Sequence, residues 1–251
     1  MQYGKCTDSI ISAILKGLTS LISLFSHRSI PLVTFLFLCT TTPKVTSASE
    51  ADEMNGLPLE FRLAFMTGHV KAGLALYRLG ELEMAAPHLL HPVSETHEHE
   101  RMGLEKFGFD STPFSKVSEA LRANQAAKDI EPLLRQADTN LYEVALKVGG
   151  DSSEIINFLL DTITEEYSIA ITGDKITDIG EYQDAYGFQV VAQSYAAALS
   201  DNNRDLVASA LTDLATLWLD GPLPVQNPTS VNDMLSAVEA IAKHLNKPIS
   251  H

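Results

Sequence analysis

Cysteine is nearly absent from this sequence. Its two cysteines, Cys6 and Cys39, both fall within the first fifty of 251 residues. Everything beyond Cys39 must fold without a disulfide and offers no thiolate, which excludes iron–sulfur clusters and cysteine-rich zinc sites there. Positive charge is also scarce: 18 Lys and Arg face 32 Asp and Glu, a formal net charge of −14. That balance argues against nucleic acid, where cationic contacts to phosphate dominate affinity, and against anionic lipid surfaces. It suits solubility and raises the local concentration of cations. The apolar run 30–39 is too short for a membrane helix, which needs about 20 residues.

Several catalytic signatures are missing as well. His97-Glu98-His99 sets its histidines two apart, whereas the zinc-protease helix needs them four apart. There is no nucleophile elbow, phosphate loop or Rossmann glycine pattern, and Asp174 to Asp178 lacks the oxygen spacing and glycine of an EF-hand. No catalytic constellation is visible, so the expected function is not enzymatic.

The first 48 residues read as a signal peptide. Lys5, Lys16, Arg28 and Lys44 oppose one acid, Asp8, and the apolar run is followed by the small residues of Val45-Thr46-Ser47-Ala48. Cleavage after Ala48 would release a periplasmic or secreted chain, 49–251, with 14 Lys and Arg against 31 Asp and Glu and no membrane span. Retention of the leader as an amphipathic anchor through 10–25 is the alternative.

Apolar residues beyond the leader recur at helical intervals, and nothing alternates long enough to argue a sheet. The expected fold is an all-α, antiparallel bundle of about seven helices. Predicted spans are 57–79 (closed by Gly80), 81–90, 92–107, 114–127, 130–148, 151–171, 181–199, 205–219 and 231–245, the second of which is interrupted by Pro87 and Pro92. Asp151-Ser152-Ser153-Glu154 has the form of a capping box. A subdivision near 110 would separate a histidine-containing hairpin, 49–110, from a bundle, 111–251.

What the chain has in excess is histidine in one place. Five of its eight histidines fall between His69 and His99. Histidine is the commonest metal-ligand side chain. Met66 and His69 share one helical face, and Gly68, Ala72 and Gly73 leave room for a second helix to approach. The chain returning after Gly80 brings His88, His91 and Glu95 toward them. The expected ligands are therefore drawn from His69, His88, His91, Glu95 and Met66, holding iron, copper or zinc. His97 and His99 lie on a charged stretch as accessory ligands or solvated side chains.

Two segments resemble known families. Gly68 to Leu89 is similar to a tetratricopeptide helical pair, with Leu79-Gly80 at the turn, although no 34-residue period follows. Glu166-Tyr167-Ser168-Ile169-Ala170-Ile171-Thr172-Gly173, leading through Asp178 into Glu181-Tyr182-Gln183-Asp184, resembles the extracytoplasmic helical region of bacterial high-affinity iron permeases. That resemblance implies an exported helical module linked to metal uptake. The permease's own Arg-Glu-Gly-x-x-Glu motif is absent, so transport itself is not implied. Glu165, Glu166, Asp178, Glu181 and Asp184 would form an oxygen-rich patch, or else cap helices and face water.

Three readings follow. The first is a metal-binding protein for uptake, storage or delivery, whose partners are a membrane transporter or a metal-acceptor protein. The second is a helical interaction module with incidental histidines, and the third a haem- or metal-dependent redox protein.

Overall fold

The computed structural model of the chain describes residues 56–199 and 203–245; the expected signal peptide and its cleavage point lie outside them. The described residues form nine α-helices with one two-stranded hairpin. The all-α expectation holds. No helix among the described residues is long and apolar enough to cross a membrane.

Helix α1 (Leu59–Leu79) ends where Gly80 takes a left-handed conformation, φ 91°, and its N–H caps the carbonyls of Leu76 and Tyr77. The chain reverses there into α2 (Leu82–Leu90). Pro87 lies inside α2 rather than interrupting it. The carbonyl that loses its partner, on Glu83, belongs to an exposed residue within reach of water.

The expected helix 92–107 is broken into three pieces. A 3₁₀ turn spans His91–Val93, α3 covers Glu98–Arg101, and a second 3₁₀ turn spans Leu104–Phe107. Ser94 is extended at ψ 141° and Gly103 is left-handed at φ 90°, and either conformation stops an α-helix. Arg62 on α1 ties this segment down. Its Nη1 donates to the carbonyl oxygens of His99 at 2.6 Å and Met102 at 3.1 Å.

Helices α4 (Thr112–Arg122) and α5 (Ala127–Val148) follow, then α6 (Ser152–Ala170). Asp151 caps α6, accepting from the backbone N–H of Ser153 and Glu154. Between α6 and the next helix, β1 (Ile171–Thr172) pairs antiparallel with β2 (Lys175–Ile176), Ile171 opposite Ile176. Asp178 caps α7 (Ile179–Ala196), and α8 (Arg204–Ala215) and α9 (Val231–Leu245) complete the bundle.

Two apolar cores result. Leu63, Val70 and Leu74 of α1 are buried with residues of α2, α4 and α5, among them Leu89, Phe114 and Leu141. The second core belongs to α6–α9, where Tyr167, Tyr182 and Trp218 pack with Leu160, Leu211 and Val238. α4 and α5 share the hairpin's core, and α1 contributes to both cores through Ala64 on one side and Leu63 on the other.

Helix α1 joins them through α7. A Cβ built on Gly187 would stand 2.1 Å from the Gly68 carbonyl oxygen and 3.0 Å from the Ala72 nitrogen, so the two helices touch backbone to backbone. Gly73 receives α2 instead, with Leu89 Cγ 2.7 Å from its notional Cβ. The small residues of α1 thus admit two neighbours.

Candidate metal centre

The contact between Gly68 and Gly187 sets the register of the side chains beside it. His69 follows Gly68, and Asp184 lies one turn before Gly187. His69 Nδ1 meets Asp184 Oδ1 at 2.6 Å. His88, carried by α2, places its Nδ1 2.9 Å from the same oxygen, and its Nε2 lies 2.9 Å from Gln183 Oε1. The Gln183 amide in turn donates to the Met84 sulfur at 3.3 Å. All three ligand-bearing residues are buried, and their ligand atoms lie within 4.8 Å of one another.

A second group adjoins the first. His91 Nε2 lies 2.6 Å from Glu100 Oε2, and His97 Nδ1 lies 2.8 Å from Glu100 Oε1. The imidazoles stack in file. His69 and His91 are 3.7 Å apart at 13°, and His91 and His97 are 3.7 Å apart at 27°. Phe65 closes the inner end, edge-on to His69 at 4.8 Å and stacked on Phe188 at 5.1 Å. One atom within this network has no partner: His69 Nε2 is buried and unbonded.

The electrostatics favour ionised carboxylates and set His91 and His88 in opposite directions. Burial opposes charge on Asp184, but the charges and hydrogen bonds of His69 and His88 outweigh it and hold its carboxyl well below the usual range. Glu100 is lowered to about 2 by His91 and His97 in the same way, against its burial. His91 falls to about 4, because burial and the like charge of His69 outweigh Glu100. Burial pulls His88 down too, yet Asp184 and Gln183 prevail, and its value is raised.

These groups line a cleft of about 1690 Å³. Glu165, Glu166 and Glu181 line it as well. Glu166 and Glu181 share a hydrogen bond. Burial, that bond and the negative charges of Glu181, Asp184 and Glu165 push the Glu166 carboxyl far upward.

The structure thus brings His69, His88 and Asp184 into one group and His91 and His97 into another. Glu95 stands apart, exposed, because the break at Ser94 turns it outward, and Glu100 occupies the carboxylate position instead. Met66 is a core residue, 1% exposed among Leu63, Val70 and Leu74; the thioether beside the site is Met84. His99 lines the cleft outside both groups, and its carbonyl receives Arg62. Glu181 faces Glu166. Asp178 caps α7 rather than joining a patch. Sequence reasoning missed Glu100, Gln183 and Met84. For Glu100 a signal existed, since it stands three residues after His97, as a helical neighbour would.

Residues 150–250 match the family model of the iron permease-associated 4-helix bundle domain. The match bears out the resemblance drawn from residues 166–188. It covers α6 to α9, and with them Asp184, Gln183, Glu166 and Glu181. The five histidines of the two groups and their neighbourhood, His69 to His99, lie outside it. No curated protein and no solved structure matches the chain.

Two imidazoles and one carboxylate form a donor set used by both zinc and non-haem ferrous iron. The unbonded His69 Nε2 offers an alternative nitrogen on the same ring. The histidine–carboxylate bonds also resemble the outer-shell arrangement that fixes the tautomer and orientation of a ligating ring. The residues fit a transition-metal ion.

Proposed function

We propose that this is an exported metal-binding protein that takes up a transition-metal ion, iron foremost among iron, copper and zinc, and holds it for delivery to a membrane transporter or acceptor protein. The observation that carries the reading is the convergence of His69 and His88 on one oxygen of Asp184. A helix of the iron permease-associated segment thereby supplies the carboxylate that closes on histidines from a separate hairpin. The donor set favours ferrous iron or zinc, since no thiolate is near and the one adjacent thioether already accepts from Gln183. The matched domain supports iron as cargo. The histidine groups lie outside that domain, which suits a loading site added to a permease-associated scaffold.

Direct titration of the full chain with ferrous iron, zinc and copper(II) tests this. Wild-type protein should bind, and the double variant His69→Ala/Asp184→Asn should lose at least ~10–100-fold in affinity, the usual cost of disturbing ligands or the groups that orient them. Equal affinity in wild type and double variant would refute the assignment.

A further inference from the structure

The two histidine–carboxylate groups are complete separately and touch each other. We propose that the centre takes two divalent transition-metal ions at once, the second held by His91, His97 and Glu100, and that this outer position is the one that exchanges ions with solution. The inference rests on the metal-binding reading above and deepens it.

Donor chemistry comes first. His91, His97 and Glu100 offer two nitrogens and a carboxylate within 4.8 Å of one another, the same complement as His69, His88 and Asp184. Glu100 is 2% exposed and each of its oxygens meets an imidazole nitrogen. Among the described residues, neither it nor Asp184 pairs with a lysine or arginine. A buried carboxylate needs a compensating charge. Two such carboxylates share this cleft, and one divalent ion beside each supplies it.

Geometry argues for two ions rather than one shared ion. The ligand atoms of each triad lie within 4.8 Å of one another, and the two triads have no residue in common. Each carboxylate is met by its own pair of imidazoles, Asp184 by His69 and His88 and Glu100 by His91 and His97.

Exposure sets the order of exchange. The side chains of His69, His88 and Asp184 are 9%, 7% and 11% exposed, whereas His97 is 37% exposed. Water and chelators reach the outer position first.

The test is a cobalt(II) titration of the full chain by equilibrium dialysis and visible absorption, followed by a chelator chase. Wild type should bind two equivalents and release them in two phases, the fast one carrying one equivalent. His97→Ala should bind one equivalent and lose the fast phase, and Asp184→Asn should bind one and keep it. Glu100→Gln, nearly isosteric, should repeat the His97→Ala result and serves if that variant fails to fold. Wild type saturating at one equivalent, or His97→Ala still binding two, overturns the second site while leaving the single-ion reading intact. No binding by wild type overturns both.

Discussion

Replacing Gly187 with alanine isolates the helix contact on which the centre depends. The added Cβ would lie 2.1 Å from the Gly68 carbonyl oxygen, whereas ordinary contact begins at 3.4 Å. The atoms met are backbone, so no side chain can swing aside. Opening the gap from 2.1 to 3.4 Å requires α1 and α7 to part by 1.3 Å at that point. His69 and Asp184 flank it on the same two helices, and their bond is 2.6 Å long. Most of that displacement carried to the pair would stretch it beyond hydrogen-bonding range.

The energies can be set against each other. Overpacking costs about 1–3 kcal/mol, and a lost hydrogen bond to a charged group about 1.5–3 kcal/mol. Alanine regains about 1 kcal/mol of helix propensity over glycine. The sum is a destabilisation of about 1.5–5 kcal/mol, or roughly 3–20 °C in Tm for a chain of this size. Metal affinity should fall ~10–100-fold, because the ligand and its orienting carboxylate separate. Gly180→Ala, in the same helix, provides the comparison. Its Cβ would meet nothing closer than Asp178 Oδ1 at 3.4 Å, so both readings should stay near wild type. Calorimetry of the metal-free proteins and titration with zinc give the two numbers. Gly187→Ala melting within about 2 °C of wild type, or binding zinc within about threefold, would refute the coupling of helix contact to site.

Two further predictions concern protons. The native state refuses a proton on His91 down to about pH 4, while the unfolded chain accepts one near 6.5. Metal-free protein should therefore lose stability as pH falls from about 6.5 to 4. His88 acts with the opposite sign: its raised value gives stability that is present below 6.5 and fades as pH rises. Urea unfolding of His91→Gln across pH 4–8 should show a flatter acid limb and an unchanged alkaline one; an acid limb as steep as wild type would count against the assignment. Glu166 is raised, so native protein holds its proton above the unfolded value and loses stability as pH rises from about 4.5. Glu166→Gln keeps a hydrogen bond to Glu181 without a titrating proton, and should raise the Tm of metal-free protein at pH 7.5 while leaving it unchanged at pH 4; a Tm lowered at pH 7.5 would contradict the shared-proton account.

Helical periodicity and caps are local, and they were legible. Gly80 closes α1, Asp151 opens α6, and α9 starts at Val231 as expected. The histidine concentration pointed to the segment where both histidine–carboxylate groups form, because imidazoles are rare elsewhere in the chain. Carboxylate choice was a different problem. A continuous helix from Pro92 would set Glu95 four residues after His91, on the same face. The extended Ser94 destroys that relation, and the chain then folds back so that Glu100 receives both His91 and His97. No periodicity encodes a break of that kind.

Asp184 lies 115 residues from His69, so its role depends on tertiary docking. Yet the docking left a trace in the sequence. Gly68 and Gly187 both sit in helix interiors, where glycine costs about 1 kcal/mol relative to alanine, and each stands close to a polar residue that is buried: His69 beside the first, Asp184 a turn before the second. Tyr182, Gln183, Asp184 and Ala185 are four consecutive buried residues, more than one face of a helix can present to a single neighbour. α7 must therefore be covered on several sides, by α1 and α2 as well as by its own bundle. A helix so enclosed, carrying an acid and a glycine one turn apart, is placed to meet a partner that offers a histidine next to a glycine. The glycines bring the backbones together, and the histidine–carboxylate pair makes that approach chemically specific.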